Sequence, residues 1–285
     1  MHWPRLTLLD GALGTVLGER GLRLDPPRWS AHALVDAPDA IAEVHAAYAA
    51  VGATVHTANT FRTTPRAWGP GWQRAARNAV RLARGSVPPD HQVAASLAPV
   101  ADCYSPEASP PDAAALHAEV AQVVAEAGAD LILCETFAHP AEALAAVRAA
   151  QATGLPVWLS LSPGPDGQLM MPAALGAAAA AALDMGVQAV LVNCSPPDRT
   201  LAYVRALAAA ARSHPAAQVG AYANGGAIGG AFGWGAATGP AAYTALAAGW
   251  VDAGATLIGG CCGTAPDTIA ALRARLCPAP AAFSP

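Results

Sequence analysis

The sequence predicts a (β/α)8 barrel, and three observations favour this fold class. Short apolar runs rich in β-branched residues alternate with Ala-rich stretches of helical length along the chain. There are eight runs of each kind, which is the count for a barrel of parallel strands that are each followed by a helix. The turn after the first strand reads DGALGT at 10–15, which lacks the G-x-G-x-x-G fingerprint typical of a doubly wound sheet.

The elements follow in regular order. The predicted strands are 6–9, 54–57, 92–96, 130–134, 157–161, 189–192, 218–221 and 256–258. The predicted helices lie near 38–51, 73–84, 112–127, 140–152, 172–185, 200–213, 240–253 and 266–276. No linker or shift in composition divides the chain, so we expect a single domain that spans residues 1–285.

Composition narrows the class of protein. Hydrophobic residues make up 54% of the 285 residues, enough for a large core, and the net charge of −4 gives no reason to expect nucleic acid or an anionic membrane as partner. No apolar run reaches transmembrane length without interruption, and the first residues, MHWPR, lack the pattern of a signal peptide. We therefore expect a cytoplasmic enzyme that acts on small molecules.

The chain contains no lysine, so all of its 16 basic residues are arginine. Genomic base composition is the simplest explanation for this bias. The absence nevertheless excludes Schiff-base aldolases, enzymes with lysine-bound pyridoxal phosphate and Walker-type nucleotide sites, because each requires a lysine amine.

The chemistry is expected at one rim of the barrel. Active sites of this fold are built at the carboxyl ends of the strands. Polar or sulfur-bearing side chains follow the first, second, fourth, sixth, seventh and eighth predicted strands. They are Asp10, Asn59, Glu135, Cys194, Asn224, Cys261 and Cys262.

Three of the six cysteines belong to this set. Three thiolates that leave one position open are typical of a catalytic zinc ion. Adjacent residues of a strand point to opposite faces, so Cys261 and Cys262 can bind one ion only from an irregular backbone, which Gly259, Gly260 and Gly263 would permit. Burial as small hydrophobic residues is the alternative, and a disulfide between the adjacent pair is another. For the remaining cysteines we favour burial. They are Cys103, Cys134 and Cys277.

Five motifs, in order along nearly the whole chain, carry a family resemblance. They are DGALGT at 10–15, TANTF at 57–61, ETF at 135–137, NC at 193–194 and GGCCGT at 259–264. Together they resemble the zinc-dependent homocysteine S-methyltransferases, and the GGCCGT block is highly specific. The resemblance implies zinc held by Cys194, Cys261 and Cys262, with homocysteine as the methyl acceptor and methionine as the product.

The resemblance also implies how the amino-acid end of homocysteine is held. Asp10 and Glu135 would bind its ammonium group, and backbone N–H groups near Gly11 could take its carboxylate. A turn or helix-cap role is the alternative for Asp10, and a buried ion pair with an arginine is the alternative for Glu135. Asn59 and Asn224 are candidate pocket residues, although turn formation explains either asparagine equally well.

Two segments depart from the family pattern. After the seventh strand the family commonly has Tyr-Pro-Asn and then a Glu, whereas residues 222–232 read YANGGAIGGAF, with neither proline nor acid. After the third strand the chain has Leu97-Ala98-Pro99 where the family favours Gly-Pro. The loop after the seventh strand often lies over the active site in the family, so we expect recognition of the methyl donor to differ there. Neither departure touches a proposed metal ligand.

The donor is open on sequence grounds. We favour a sulfonium compound, S-methylmethionine before S-adenosylmethionine. Betaine would call for an aromatic cage, and aromatic residues total only 6% of the chain. Methylcobalamin would need further domains. Two readings of other classes are a phosphate-binding barrel isomerase or lyase, which the acidic rim disfavours, and a non-catalytic zinc or redox protein.

Overall fold

Eight parallel strands form the predicted barrel in a computed structural model that describes residues 6–228 and 234–277. In chain order the first seven are β1 (Thr7–Leu8), β2 (Val55–Ala58), β3 (Gln92–Leu97), β4 (Leu131–Phe137), β5 (Val157–Leu161), β6 (Ala189–Asn193) and β7 (Gln218–Tyr222). A hairpin of β8 (Gly226–Ile228) and β9 (Trp234–Ala237) precedes the eighth barrel strand, β10 (Leu257–Ile258). Consecutive barrel strands pair in parallel, β10 pairs with β1, and a bridge between Leu9 and Val55 closes the ring.

Helices surround the barrel. The long ones are α3 (Pro38–Val51), α5 (Trp72–Ser86), α6 (Ala113–Glu126), α7 (Pro140–Gln151), α8 (Pro172–Asp184), α9 (Thr200–Ala210), α10 (Pro240–Asp252) and α11 (Pro266–Leu276). Three short helices lie in loops: α1 (Leu13–Glu19), α2 (Ala33–Asp36) and α4 (Pro65–Trp68). Proline at the first position begins five of the eight long helices, α3, α7, α8, α10 and α11, where its missing N–H would have no partner within the helix.

The strands are apolar on both faces because one face lines the barrel and the other meets the helices. In β4, Leu131 and Leu133 belong to a buried cluster inside the barrel, whereas Ile132 and Cys134 belong to the cluster beneath the helices. The same alternation directs Glu135 to the interior at the top of the strand. Alternation along β4 thus places one acidic side chain inside the barrel, at the rim, after a run of apolar residues.

The eight predicted strands and eight predicted long helices are confirmed, with ends that differ by at most a few residues. The largest difference among the strands is β4, which continues to Phe137 through an irregularity after Cys134. The polar residues Glu135 and Thr136 are typical of a loop, so the predicted strand ended too early.

The sequence did not predict the short loop helices or the β8–β9 hairpin, since each is too short to show a period. No helix within 6–228 and 234–277 is both long and apolar enough to cross a membrane.

Candidate active site

The three cysteines singled out from the sequence meet at the predicted rim. Their sulfur atoms all lie within 4.8 Å of one another, and Sγ of Cys194 is 2.8 Å from Sγ of Cys261. All three are free thiols, so the disulfide alternative does not describe this structure. Cys134, in contrast, is fully buried beneath the helices, as predicted for a small hydrophobic residue.

Cys194 is held by a backbone that few residues adopt. It follows the last residue of β6 with φ of 50°, in the left-handed region. Asn193 fixes the turn: its Oδ1 accepts the Ser160 hydroxyl at 2.7 Å and the Thr136 N–H at 3.1 Å. Its Nδ2 donates to Thr136 Oγ1 at 2.8 Å and to Cys194 Sγ at 3.4 Å. Asn193 therefore supports the sulfur.

The glycines around Cys261 and Cys262 act differently from the prediction. Only Gly263 has a left-handed φ, of 79°. Gly259 is needed for close packing, because a Cβ there would lie 2.6 Å from Cβ of Leu9. Gly260 is likewise closed in by the Thr264 side chain. The expectation that all three glycines supply unusual backbone angles is thus wrong for two of them.

Backbone hydrogen bonds place the cysteine loop against the end of β7. The N–H of Cys261 donates to the Ala223 carbonyl at 2.8 Å, and the N–H of Gly225 donates to the Cys262 carbonyl at 2.7 Å. These bonds extend the pairing of β7 and β10 beyond the strands. Both sulfurs of the adjacent pair are thereby brought to the side of the rim where Cys194 lies.

The three sulfurs cannot all carry a charge without a cation. Hydrogen bonds shared with Cys261 and Cys262 raise the pKa of the Cys194 thiol well above its ordinary value. Hydrogen bonds from Cys194 and Cys261 lower the pKa of the Cys262 thiol well below its ordinary value. One thiolate is therefore stabilised by two thiols that remain protonated, and a cation would be needed to ionise the rest.

Asp10 lies at the end of β1, where β1 and β2 separate. Its Oδ2 accepts the Thr57 N–H at 2.8 Å, and its Oδ1 accepts the Thr57 hydroxyl at 3.3 Å. Burial raises the pKa of Asp10 to about 8, and the charge of Glu135 contributes. The helix-cap alternative does not hold, since α1 begins after Ala12 without a side-chain cap.

Glu135 lies inside the rim, in β4. Its Oε1 accepts the Ser96 hydroxyl at 2.5 Å and its Oε2 accepts the Tyr222 hydroxyl at 2.9 Å. Burial raises its pKa to about 7, and the charge of Cys261 adds to the effect. The alternative of a buried ion pair is wrong, because no basic side chain among the described residues lies within 4.0 Å of this carboxylate.

The other predicted residues occupy different environments. Gly11 packs so closely that a Cβ would lie 2.8 Å from the Tyr48 hydroxyl. Asn59 uses its amide on Ser30, with Ser30 Oγ and Ser30 O both at 2.9 Å. Asn224 is fully buried, yet neither end of its amide has a hydrogen-bond partner among the described residues. Only Asn224 thus presents an unused polar group.

Sequence reasoning missed the neutral donors around the two acids. The hydroxyl of Thr57 donates to Asp10, and the hydroxyls of Ser96 and Tyr222 donate to Glu135. A signal existed for two of them: Ser96 and Tyr222 fall on the inward positions of β3 and β7, where a polar group has no reason to be unless it faces a partner. That alternation could have identified them.

The chain is similar to proteins of one kind. Residues 7–276 match the family model described as homocysteine S-methyltransferase. Homocysteine S-methyltransferase 1 of Zea mays is 30% identical over 93% of this chain and 92% of its own length. Homocysteine S-methyltransferase YbgG of Bacillus subtilis is 28% identical over 93% of this chain and 92% of its own length.

A solved structure agrees with the sequence comparisons. The metallated form of the homocysteine methyltransferase MmuM from Escherichia coli superposes with a TM-score of 0.79 at 26% identity, covering 95% of this chain and 96% of that chain. Because the family model matches nearly all of the described barrel, the chain belongs to the homocysteine S-methyltransferase family.

Proposed function

We propose that this chain is a cytoplasmic, zinc-dependent homocysteine S-methyltransferase whose single domain spans residues 1–285 and whose product is methionine. One observation carries the proposal: three sulfurs converge at one end of the rim, and two buried carboxylates without a basic partner lie near them. The first group suits a metal and a substrate thiol. The second suits the ammonium of an amino acid.

The sulfur cluster fits zinc. Its three atoms lie close enough to share one ion, and they are soft donors that favour zinc over magnesium or calcium. Cys194, Cys261 and Cys262 would hold the ion. When bound, zinc supplies the positive charge that keeps a coordinated substrate sulfur in its nucleophilic thiolate form at neutral pH.

The carboxylates fit the other end of homocysteine. Asp10 and Glu135 accept hydrogen bonds only from neutral groups, so an ammonium would be the first cation that either one meets. Charge-assisted bonds of this kind contribute about 1.5–3 kcal/mol each. We assign the substrate carboxylate to the backbone at Gly11 and to the unused amide of Asn224. Asn59 acts indirectly, by holding Ser30.

A cationic donor suits the same environment. The carboxylates and sulfurs make the rim acidic, so a positively charged sulfonium gains from the electrostatic potential before transfer. We therefore place S-methylmethionine first and S-adenosylmethionine second. Two tryptophans are not free to form a betaine cage: Trp72 is buried at the start of α5, and Trp68 is covered by the Arg28 guanidinium at 4.4 Å.

The test is turnover by the zinc-loaded protein. Homocysteine would be incubated with each donor in turn, and methionine would be followed by chromatography. We expect product with S-methylmethionine, and none with zinc-free protein. Product with betaine or methylcobalamin alone would overturn the donor, and absence of zinc from the purified protein would overturn the whole proposal.

A further inference from the structure

A second group of potential ligands lies behind Asp10. One ring nitrogen of His45, one of His56 and a carboxylate oxygen of Asp10 all lie within 4.8 Å of one another. His45 comes from α3 and His56 from β2, so the group fills the space between the barrel wall and its helical layer. Both histidines are fully buried, and Asp10 is only 6% exposed.

Three of the four ring nitrogens of His45 and His56 are unpaired among the described residues. Neither ring nitrogen of His45 has a hydrogen-bond partner among the described residues, and Nδ1 of His56 has none. A buried polar group left unpaired is unfavourable, because it has lost its hydrogen bonds to water without a replacement. Two such side chains facing one carboxylate therefore indicate a ligand that satisfies them together.

The outer contacts are those of a metal site. Nε2 of His56 lies 3.0 Å from Nδ1 of His91, and when Nε2 donates to it, Nδ1 of His56 presents its lone pair to the cluster. Asp10 is oriented by Thr57 and keeps lone pairs free. Partners of this kind, which fix the tautomer of a histidine and the orientation of a carboxylate, are typical around protein-bound metals.

We propose that Asp10, His45 and His56 form a second metal site, for a divalent first-row transition ion such as Zn²⁺ or Co²⁺. Two imidazoles and one carboxylate are a ligand set that such ions accept, and it contains no sulfur. The set is chemically distinct from the three cysteines. The site goes beyond the proposed methyltransferase activity and does not depend on it.

The shared carboxylate gives the second site a consequence. A cation on Asp10 would neutralise the charge that the proposed function assigns to the homocysteine ammonium. Occupation of the second site and binding of the amino-acid substrate should therefore oppose each other. Excess metal would act as an inhibitor that raises the KM for homocysteine.

Cobalt distinguishes the two sites by colour. Metal-free full-length protein would be titrated with Co²⁺ while the absorption spectrum is recorded. The three-cysteine site gives an intense sulfur-to-cobalt charge-transfer band, whereas a site of nitrogen and oxygen ligands gives only weak d–d bands. We expect two equivalents in the wild type and one, without the charge-transfer band, in the Cys261→Ala/Cys262→Ala double variant.

The histidine ligands are tested in the same double-cysteine background. Adding His56→Val, in which valine suits the strand β2, should remove the remaining equivalent of bound cobalt. Adding His45→Gln should also remove it. His214→Gln removes a partly exposed imidazole elsewhere and should leave it. Circular dichroism checks that each variant is folded. A double-cysteine variant that binds no cobalt, or an equivalent that persists after both histidine substitutions, would overturn the second site.

Discussion

The two halves of the rim differ in how many hydrogen bonds orient their side chains. At the sulfur end, Cys194 and Cys261 face each other at 2.8 Å, and the one amide that reaches them comes from Asn193. At the carboxylate end, Asp10 and Glu135 each accept two hydrogen bonds from fixed neutral donors. The sulfurs need a cation to be fully ionised, whereas the carboxylates are already oriented.

This difference separates binding of the metal from binding of the amino acid. Both halves are rich in potential negative charge, and neither Asp10 nor Glu135 forms a salt bridge among the described residues. Under the proposed function, positive charge arrives with the ligands, as a metal ion at one half and as an ammonium at the other. Substitutions in one half should leave the other working, and the following predictions test that independence in order of decreasing effect.

The largest effect is expected from Cys261→Ser. Residues that hydrogen-bond to metal ligands contribute roughly 10–100-fold to metal affinity. Loss of one of the three sulfur ligands themselves should lower zinc affinity by more than that. Methionine formation should become undetectable at stoichiometric zinc. Zinc content is measured by elemental analysis after gel filtration, and Cys134→Ala, which alters a buried cysteine outside the site, should retain its zinc. Full zinc content in Cys261→Ser would show that this sulfur is not a ligand.

Glu135→Gln should affect the other half. The change keeps the shape and removes the charge, so the KM for homocysteine should rise by about 10–100-fold, the equivalent of one charge-assisted hydrogen bond. Zinc content should not change. Glu142→Gln is the matched control: Glu142 is a buried carboxylate paired with His117 at 3.1 Å, and its loss should lower the melting temperature and not raise the KM. Equal KM values for the two variants would contradict the assignment.

Asn193→Ala should weaken the metal site without removing a ligand. Four hydrogen bonds of Asn193 orient the Cys194 turn, and their loss should lower zinc affinity by roughly tenfold or more. Activity should return when zinc is added in excess. A competition titration with a coloured chelator measures the affinity. Activity that stays low in excess zinc would mean that Asn193 contacts the substrate instead.

The pH profile reports the carboxylate half. Burial raises the pKa of Asp10 to about 8 and that of Glu135 to about 7, and only the ionised forms attract an ammonium. The value of kcat/KM for homocysteine should therefore rise between pH 6 and 8, not level off above pH 5 as ordinary carboxyls would require. The two groups titrate as a pair, so Glu135→Gln should simplify the rise to one step. A flat wild-type profile from pH 5 to 8 would contradict the raised values.

The sequence allowed the barrel and the sulfur half to be predicted, for physical reasons that do not extend to the rest. Periodicity locates strands, and parallel strands of a barrel end at one rim, so Cys194 and the Cys261–Cys262 pair had to meet. Hydrogen bonds between side chains on different strands have no such periodic signal. The link from Tyr222 to Glu135 spans 87 positions and depends on barrel register. The role of Gly259 likewise depends on how near Leu9 lies, which only the closed barrel decides.

The smallest effect contrasts two asparagines that the sequence could not tell apart. Asn59 spends its amide on Ser30, so Asn59→Ala should cost about 1–2 kcal/mol of folding free energy and leave the KM for homocysteine nearly unchanged. Asn224 has no partner among the described residues, so Asn224→Ala should be neutral or stabilising, since it removes an unpaired buried amide, and should raise the KM by a few-fold. Urea unfolding and steady-state kinetics measure both quantities. The reverse pattern would be a loss of stability in the Asn224 variant and a raised KM in the Asn59 variant. That result would assign the substrate contact to Asn59, because a group that contacts the ligand alters binding without altering folding.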